Sequence, residues 1–580
     1  MGGFLKATAC LTVLLASTSF SAAQDNNAPR TLTPRTLLAP TEETASPNTT
    51  PVPVKTISGG INVQSLDAIS SESLGVLSGS NAFPSDMWNG ISRPIAERLI
   101  AKLPARPSAP YLRILQRRLL LSAATPPKGS SGPKSLLTLR AEKLAQMGQI
   151  NDVLKLISSA PQNEKTNDLD MLQTRVLLIE DDVTKACAMA AQNIQQNDNP
   201  FWVKTLAFCR MMAKQGDQAQ LSLSLLKEMG DKDPVYYNLM DALQVGERGK
   251  VDELQSPSAL EIALIKATKA QLSDQVRNSD DANFLNYLTK AGDISATEKA
   301  VALNLASTQF LAQAYKNMQF TPAEQENPIA TAENLDSFKA QALLYQVSAQ
   351  EGQLPVIQSE TISMALDLAK SNTRFLSTAR LYRPLISTMP QSIDMLWFAP
   401  TAMRALLAAG DWETAKAWYL MLRNAAFTDS EAAKNWTDVR PLAVLAGFDV
   451  LGQAVSQSLK NWWQAQEETP ESYEQAARLF ALVDGLGLPV PDLLWISLMN
   501  GPRLSDAALP KPGLWTGMNK AAQAGDLGET ILMMLNAIED RPLKDMEDTF
   551  IHDALAAMRK IGLERDARAV AVETALQAGL

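Results

Sequence analysis

The residues that could do chemistry in this 580-residue chain are few and poorly placed for it. The only histidine, His552, sits in Phe550-Ile551-His552-Asp553-Ala554, a helical context with no serine or cysteine nucleophile beside it. It is expected to be a satisfied helix residue and not a general base. Ser224 and Lys227 have the Ser-x-x-Lys spacing that puts a nucleophile and a base on one helical turn, but no Lys-Thr-Gly element completes such a site. The stretch Gly129-Ser130-Ser131-Gly132-Pro133-Lys134-Ser135 has the glycines of a phosphate-binding loop. Its Pro133 removes a backbone donor, and no strand precedes it. The acid pairs Asp181-Asp182, Glu467-Glu468 and Glu539-Asp540 fall at expected helix ends, where carboxylates cap the next helix. With one histidine and three cysteines, neither a histidine metal centre nor a cysteine zinc framework can be assembled from a single chain. The chain is read as a non-enzyme, with no catalytic residue, metal or cofactor assigned.

What remains is architecture. The chain is 46% apolar and 20% charged with only 6% aromatics, the apolar part being mostly Ala and Leu, so it favours helices over sheets. A net charge of -9 argues against a nucleic-acid partner.

Met1 to Ala23 has one early positive charge at Lys6, an apolar run from Ala7 to Ala16 and Ser21-Ala22-Ala23 before Gln24. This is the pattern of a cleavable signal peptide over 1–23, cut after Ala23, which predicts a periplasmic protein. Cys10 is not read as a lipidation site, because the apolar stretch follows it instead of preceding it. No later segment offers the roughly 18 apolar residues a membrane span needs. Residues 24–56 carry six prolines and eight threonines with few large apolar residues, and read as a disordered Thr/Pro-rich tether.

A turn-like step then recurs: Ala145-Gln146-Met147-Gly148, Ala213-Lys214-Gln215-Gly216-Asp217, Thr289-Lys290-Ala291-Gly292-Asp293, Leu407-Ala408-Ala409-Gly410-Asp411 and Ala522-Gln523-Ala524-Gly525-Asp526. Gly148 to Asp182 is 34 residues, Asp182 to Gly216 is 34, and Gly216 to Gly249 is 33. Pro200 and Pro234, also 34 apart, each follow a capping residue and are expected at the first position of a helix, where a missing N–H costs nothing. This pattern resembles the tetratricopeptide-repeat family, whose units are 34-residue helix-turn-helix pairs. The resemblance implies an all-α fold, an α-solenoid of antiparallel helical hairpins, and a surface that binds proteins or peptides. The expected segments are 57–135 (basic, helical), 136–318 (tetratricopeptide-like) and 334–580 (helical, Trp-rich), with loops near 319–333 and 489–515.

After cleavage only Cys187 and Cys209 remain, each eleven residues from the turn centred on Asp198. Two antiparallel helices therefore carry them at the same height, and the small neighbours Ala186, Ala190 and Ala191 allow close approach. A disulfide is predicted, worth roughly 3 kcal/mol in the loop-entropy picture.

Charge is uneven. Between Gly90 and Leu144 there are eleven basic residues against two acidic ones, a local +9 that leaves -18 for the rest. Leu99, Leu103, Leu112, Leu115 and Leu119 give these helices an apolar face as well, so the segment is expected to lie on its own acidic chain. Peripheral contact with an anionic surface is the alternative. Eight of ten tryptophans follow residue 390. Arg374, Arg380, Arg383, Trp412 and Trp418 are the candidate binding residues of a protein- or peptide-binding envelope scaffold. The alternative is an envelope-glycan binder or modifier using the Trp-rich half.

Overall fold

The computed structural model describes residues 70–161, 165–195, 199–371, 374–499, 501–502 and 507–580. The expected signal peptide and the tether lie outside the described residues, as do the first residues of the basic segment and the tip of the turn between the cysteine helices. The described part is all-helical, with twenty-nine α-helices and a single pair of two-residue strands. It forms one compact unit.

Four of the five recurring turns close on their glycine; at the fifth, Lys214 takes the left-handed conformation (φ 59°) and Gly216 opens the next helix. Gly148, Gly292, Gly410 and Gly525 close helices with φ between 72° and 86°, where a side chain would be strained. Asp182, Asp293 and Asp411 then cap the next helix through their carboxylates, accepting from Lys185, Ala296 and Thr414 N–H. Pro200 and Pro234 occupy first helical turns, capped by Asn199 and Asp233. The hairpins are Leu136–Gln146 with Ile150–Ser158, Asn167–Ile179 with Val183–Asn193, and Pro200–Met212 with Gly216–Glu228.

The period stops after the third hairpin, where the sequence suggested a further turn at Gly249. A Cβ there would lie 2.6 Å from Leu239 Cδ2 and 2.7 Å from Thr268 Oγ1, so Gly249 is a close-packing site and not a turn marker. Lys250–Val251 pairs in parallel with Gln271–Leu272 and redirects the chain. Between them, Ala259–Thr268 is buried on nearly every side and finds its cover by lying back across Asn167–Ile179. Ala282–Lys290 then packs against Leu136–Gln146, the first hairpin, instead of extending the row.

The expected loop near 319–333 contains two short helices, Pro322–Glu326 and Pro328–Ala332. The first is fixed by a capping box between Thr321 and Glu324. The second expected loop carries Asp492–Leu498.

The basic segment packs on its own chain. Arg93–Lys102 lies against Leu527–Ile538, and Pro110–Leu121 lies against both Leu527–Ile538 and Glu564–Gln577. Gly528 marks the closest approach: its N–H donates to Met87 O at 2.8 Å. Further along, Asn536 Nδ2 donates to Leu99 O and Ser108 Oγ to Arg541 O.

Candidate binding groove

The groove begins at the turn of the first hairpin. Gly148 adopts φ +72°, and a Cβ on it would meet Leu305 Cδ2 at 2.9 Å and Ala282 Cβ at 3.0 Å. Two asparagines one turn apart on Ala282–Lys290 fasten that turn: Asn283 Nδ2 donates to Ala145 O at 3.3 Å and Asn286 Nδ2 to Gly148 O at 3.2 Å. Around this joint opens a groove of about 500 Å³, walled by the start of Ile150–Ser158, the end of Ala282–Lys290 and the segment 305–310.

Its chemistry is mixed in an ordered way. Arg117 makes a two-pronged bond to Asp152, Nε to Oδ2 at 2.5 Å and Nη2 to Oδ1 at 2.8 Å. Lys290 Nζ meets both oxygens of Glu180 at 3.1 and 3.2 Å. Leu305 and the nearly buried Ile150 also line it, and Phe310 is half exposed on the segment that walls the groove. Thr289 also lines the groove; it is buried, and its hydroxyl has no hydrogen-bond partner among the described residues. Apolar patches beside paired charges and amide side chains suit an extended chain, which brings alternating side chains and a row of backbone donors and acceptors. No protein-family model matches the chain, and comparison with curated proteins finds no match.

The sequence-derived candidates lie elsewhere and do not come together. Arg374 pairs with Glu298 and stands over the Phe338 ring, and Glu298 also accepts from the Tyr315 hydroxyl. Burial pushes the Glu298 carboxyl above the usual range in spite of these partners. Arg380 donates to Val301 O at 2.8 Å, inside the protein. Arg383 is more than half exposed and only loosely opposed to Asp411 at 3.9 Å. Two of the three arginines thus satisfy acceptors within the protein, and Arg383 alone is largely exposed. Trp418 is fully buried, edge-on to Phe398, and Trp412 is partly buried against Phe448. Most of the late tryptophans fill space between Ala-rich helices; only Trp397 and Trp495 are more than a third exposed.

Cys187 and Cys209 stand at disulfide distance, with Cα atoms 5.6 Å apart. His552 is satisfied, though by a more specific arrangement than its helix suggested. Nε2 meets Asp484 at 3.1 Å and Nδ1 meets Asp553 at 3.0 Å. Asp553 also accepts from Trp515 Nε1 and Asn519 Nδ2. Burial pushes the Asp553 carboxyl up, but the bonds from Asn519, Trp515 and His552 outweigh it and hold it below the usual range. The imidazole is a clasp between Pro470–Gly485 and Asp548–Lys560. Among the described residues no group of three His, Cys, Asp or Glu is arranged to hold a metal ion.

The groove residues were missed by sequence reasoning because five separated stretches supply them. The available signal was Asn283 and Asn286, two amides at i, i+3 on a helix whose Phe284, Leu285 and Leu288 are core.

Proposed function

We propose that this chain is an exported, periplasmic α-solenoid of tetratricopeptide-like hairpins that acts as a non-enzymatic scaffold, binding an extended segment of a protein or peptide in the cell envelope. The observation that carries this reading is the open groove around Gly148, whose paired charges, amides and apolar wall match what an extended chain presents. Two features support it. Gly216–Glu228 and the Met229 that ends it expose Leu221, Leu225 and Met229 at i, i+4, i+8 spacing, an apolar stripe of the kind that marks contact surfaces. The cysteine pair at bonding distance fits an oxidising compartment, and no described helix is long and apolar enough to cross a membrane. The glycan alternative draws less support, since its aromatic residues are mostly packed between helices.

The test is capture from envelope extracts with the full chain and with Phe310→Asp. Discrete protein partners that are retained by the parent and lost by the variant are expected. Retention on peptidoglycan that is indifferent to Phe310, with no protein partner, would favour the glycan reading.

A further inference from the structure

The Pro110–Leu121 helix begins without a side-chain cap of its own, because Ala109 precedes it. Its cap comes from the other end of the chain. The Tyr111 N–H donates to Glu573 Oε2 at 2.8 Å, while the Tyr111 hydroxyl donates to Asp566 Oδ1 at 2.8 Å, an oxygen that Arg118 Nη1 also reaches at 3.0 Å. Two acids, two turns apart on Glu564–Gln577, therefore hold one face of an N-terminal helix. We infer that this contact is a proton-operated latch, closed in acid and loosened as pH rises toward neutrality, with Glu573 as its switch.

The surroundings of Glu573 make it sensitive. It is 8% exposed. From Pro110–Leu121 it faces Tyr111 and Arg113; from Phe375–Ile386 it faces Arg380; on its own helix Gln577 Nε2 donates to Oε1 at 3.1 Å. Both arginines are already committed to carbonyls, Arg113 to Pro107, Ser108 and Ala302, and Arg380 to Val301. Other charged groups near this helix are engaged elsewhere. Arg404 pairs with Asp438 on Ser430–Leu445, and Arg568 serves Glu564 and the carbonyls of Val444 and Leu445. Burial pushes the Glu573 carboxyl up to about 7, against the Tyr111 N–H and the two guanidinium groups, which pull the other way. Burial also raises the Tyr111 phenol, so it keeps its proton and goes on donating to Asp566 throughout the neutral range.

The sign follows from linkage. Opening exposes Glu573 and returns it to an ordinary carboxyl near 4.5, so the closed state binds the extra proton between about 4.5 and 7. Closure is then favoured roughly 30-fold more at pH 5.5 than at pH 8. Above neutrality the closed state must hold a buried carboxylate, and the helix is released more often.

Hydrogen exchange with mass-spectrometric readout on the full, disulfide-intact chain tests this, with rates corrected for intrinsic pH dependence. Peptides covering 108–121 and 564–577 are expected to lose protection roughly tenfold or more from pH 5.5 to pH 8, while peptides from Pro200–Glu228 do not change. Glu573→Gln, which mimics the protonated acid, should abolish the difference. PH-independent protection in the parent, or a pH response that survives in Glu573→Gln, overturns the latch. If that variant does not fold, the parent decides. A response confined to the two latch peptides that grows above pH 5.5 and levels off near 7 supports the proposal, and a response spread evenly along the chain overturns it.

Discussion

Arg113 and Arg380, from helices far apart in sequence, donate to neighbouring carbonyls at the end of one third helix: Arg113 Nη1 to Ala302 O at 2.9 Å and Arg380 Nη2 to Val301 O at 2.8 Å. The C-terminal end of Ile294–Ala302 carries a partial negative charge that both guanidinium groups offset, the Val301 carbonyl accepting from the Asn304 N–H at 3.1 Å as well. Burial lowers each arginine to about 10, so both stay charged through the neutral range. Removing Arg113 leaves the carbonyls of Pro107 and Ser108 without a donor, whereas without Arg380 the Val301 carbonyl keeps the Asn304 N–H. Arg113→Ala is expected to cost about 3 kcal/mol by urea denaturation and Arg380→Ala about 1 kcal/mol. Each arginine also bears the other's like charge, so the double variant should lose less than the sum. Strict additivity would mean that the two do not share one site.

The same device recurs wherever helices distant in sequence meet. Arg140, fully buried, donates to Leu120, Ser122 and Leu74 carbonyls, and Arg478 to those of Leu543, Lys544 and Met546. Lys143 reaches Leu103 O, and Lys266 reaches Ile179 O. The positive charge concentrated between Gly90 and Leu144 is largely spent in this way. It caps helices and pairs with acids inside the unit, as Arg118 does with Asp566, which explains why it lies inward.

Gly528 decides how closely the N-terminal helices can approach. A glycine inside a helix is normally improved by alanine, by about 1 kcal/mol. Here a Cβ would sit 2.5 Å from Met87 O and 2.8 Å from the Trp88 ring, with backbone on one side that cannot yield cheaply. Gly528→Ala is therefore expected to destabilise by about 2 kcal/mol or more. Gly513→Ala, in a helical site with open space around it, should be neutral or slightly stabilising. Thermal melts of the two variants side by side check the sign, and equal behaviour would refute the close contact.

The Cys187–Cys209 pair joins Val183–Asn193 to Pro200–Met212. Replacing both residues with alanine, or reducing the bond, should lower stability by roughly 3 kcal/mol in the loop-entropy picture. The loss of exchange protection should be confined to those two helices. Thiol counting on denatured, unreduced protein is expected to find no free thiol at Cys187 or Cys209. Two would show that the pair is not bonded.

How far the sequence could be read depended on the range of the interactions. Turns such as Gly410-Asp411, the prolines at helix starts and the level placement of Cys187 and Cys209 are local, set by φ restrictions and cap chemistry within a few residues. They stand in the structure as the spacing implied. The return of Ala259–Thr268 across Asn167–Ile179 was signalled only by that helix being apolar all round, which says that it must be covered but not by what. Arg380 and Trp418 looked like ligand-binding residues because an arginine or a tryptophan reads the same whether it faces a partner or the core. Only the carbonyl of Val301 and the ring of Phe398 decide between them. The groove at Gly148 depends on segments brought together over more than a hundred residues, a distance at which no spacing rule operates.

Asp548 gives the last expectation, and its sign opposes the usual behaviour of a paired carboxylate. It opens Asp548–Lys560 and pairs with Arg478, which favours the carboxylate, yet burial outweighs that partner and pushes the carboxyl up to about 6 from an unfolded value of 3.8. The folded protein therefore binds this proton more tightly than the unfolded chain. The contribution is fully present below about 3.8 and is lost as pH rises through about 6. Over that window the parent should lose on the order of 2 kcal/mol that Asp548→Asn does not lose. Arg478 keeps its three carbonyl acceptors in the variant, so its charge is not stranded. Glu573 adds a loss of the same sign ending nearer neutrality, so Asp548→Asn should flatten only the more acidic part of the profile and Glu573→Gln the rest. Urea denaturation at pH steps from 4 to 8 separates the two. A difference between parent and variant that does not fall across that range would show that pairing, and not burial, governs the acid replaced.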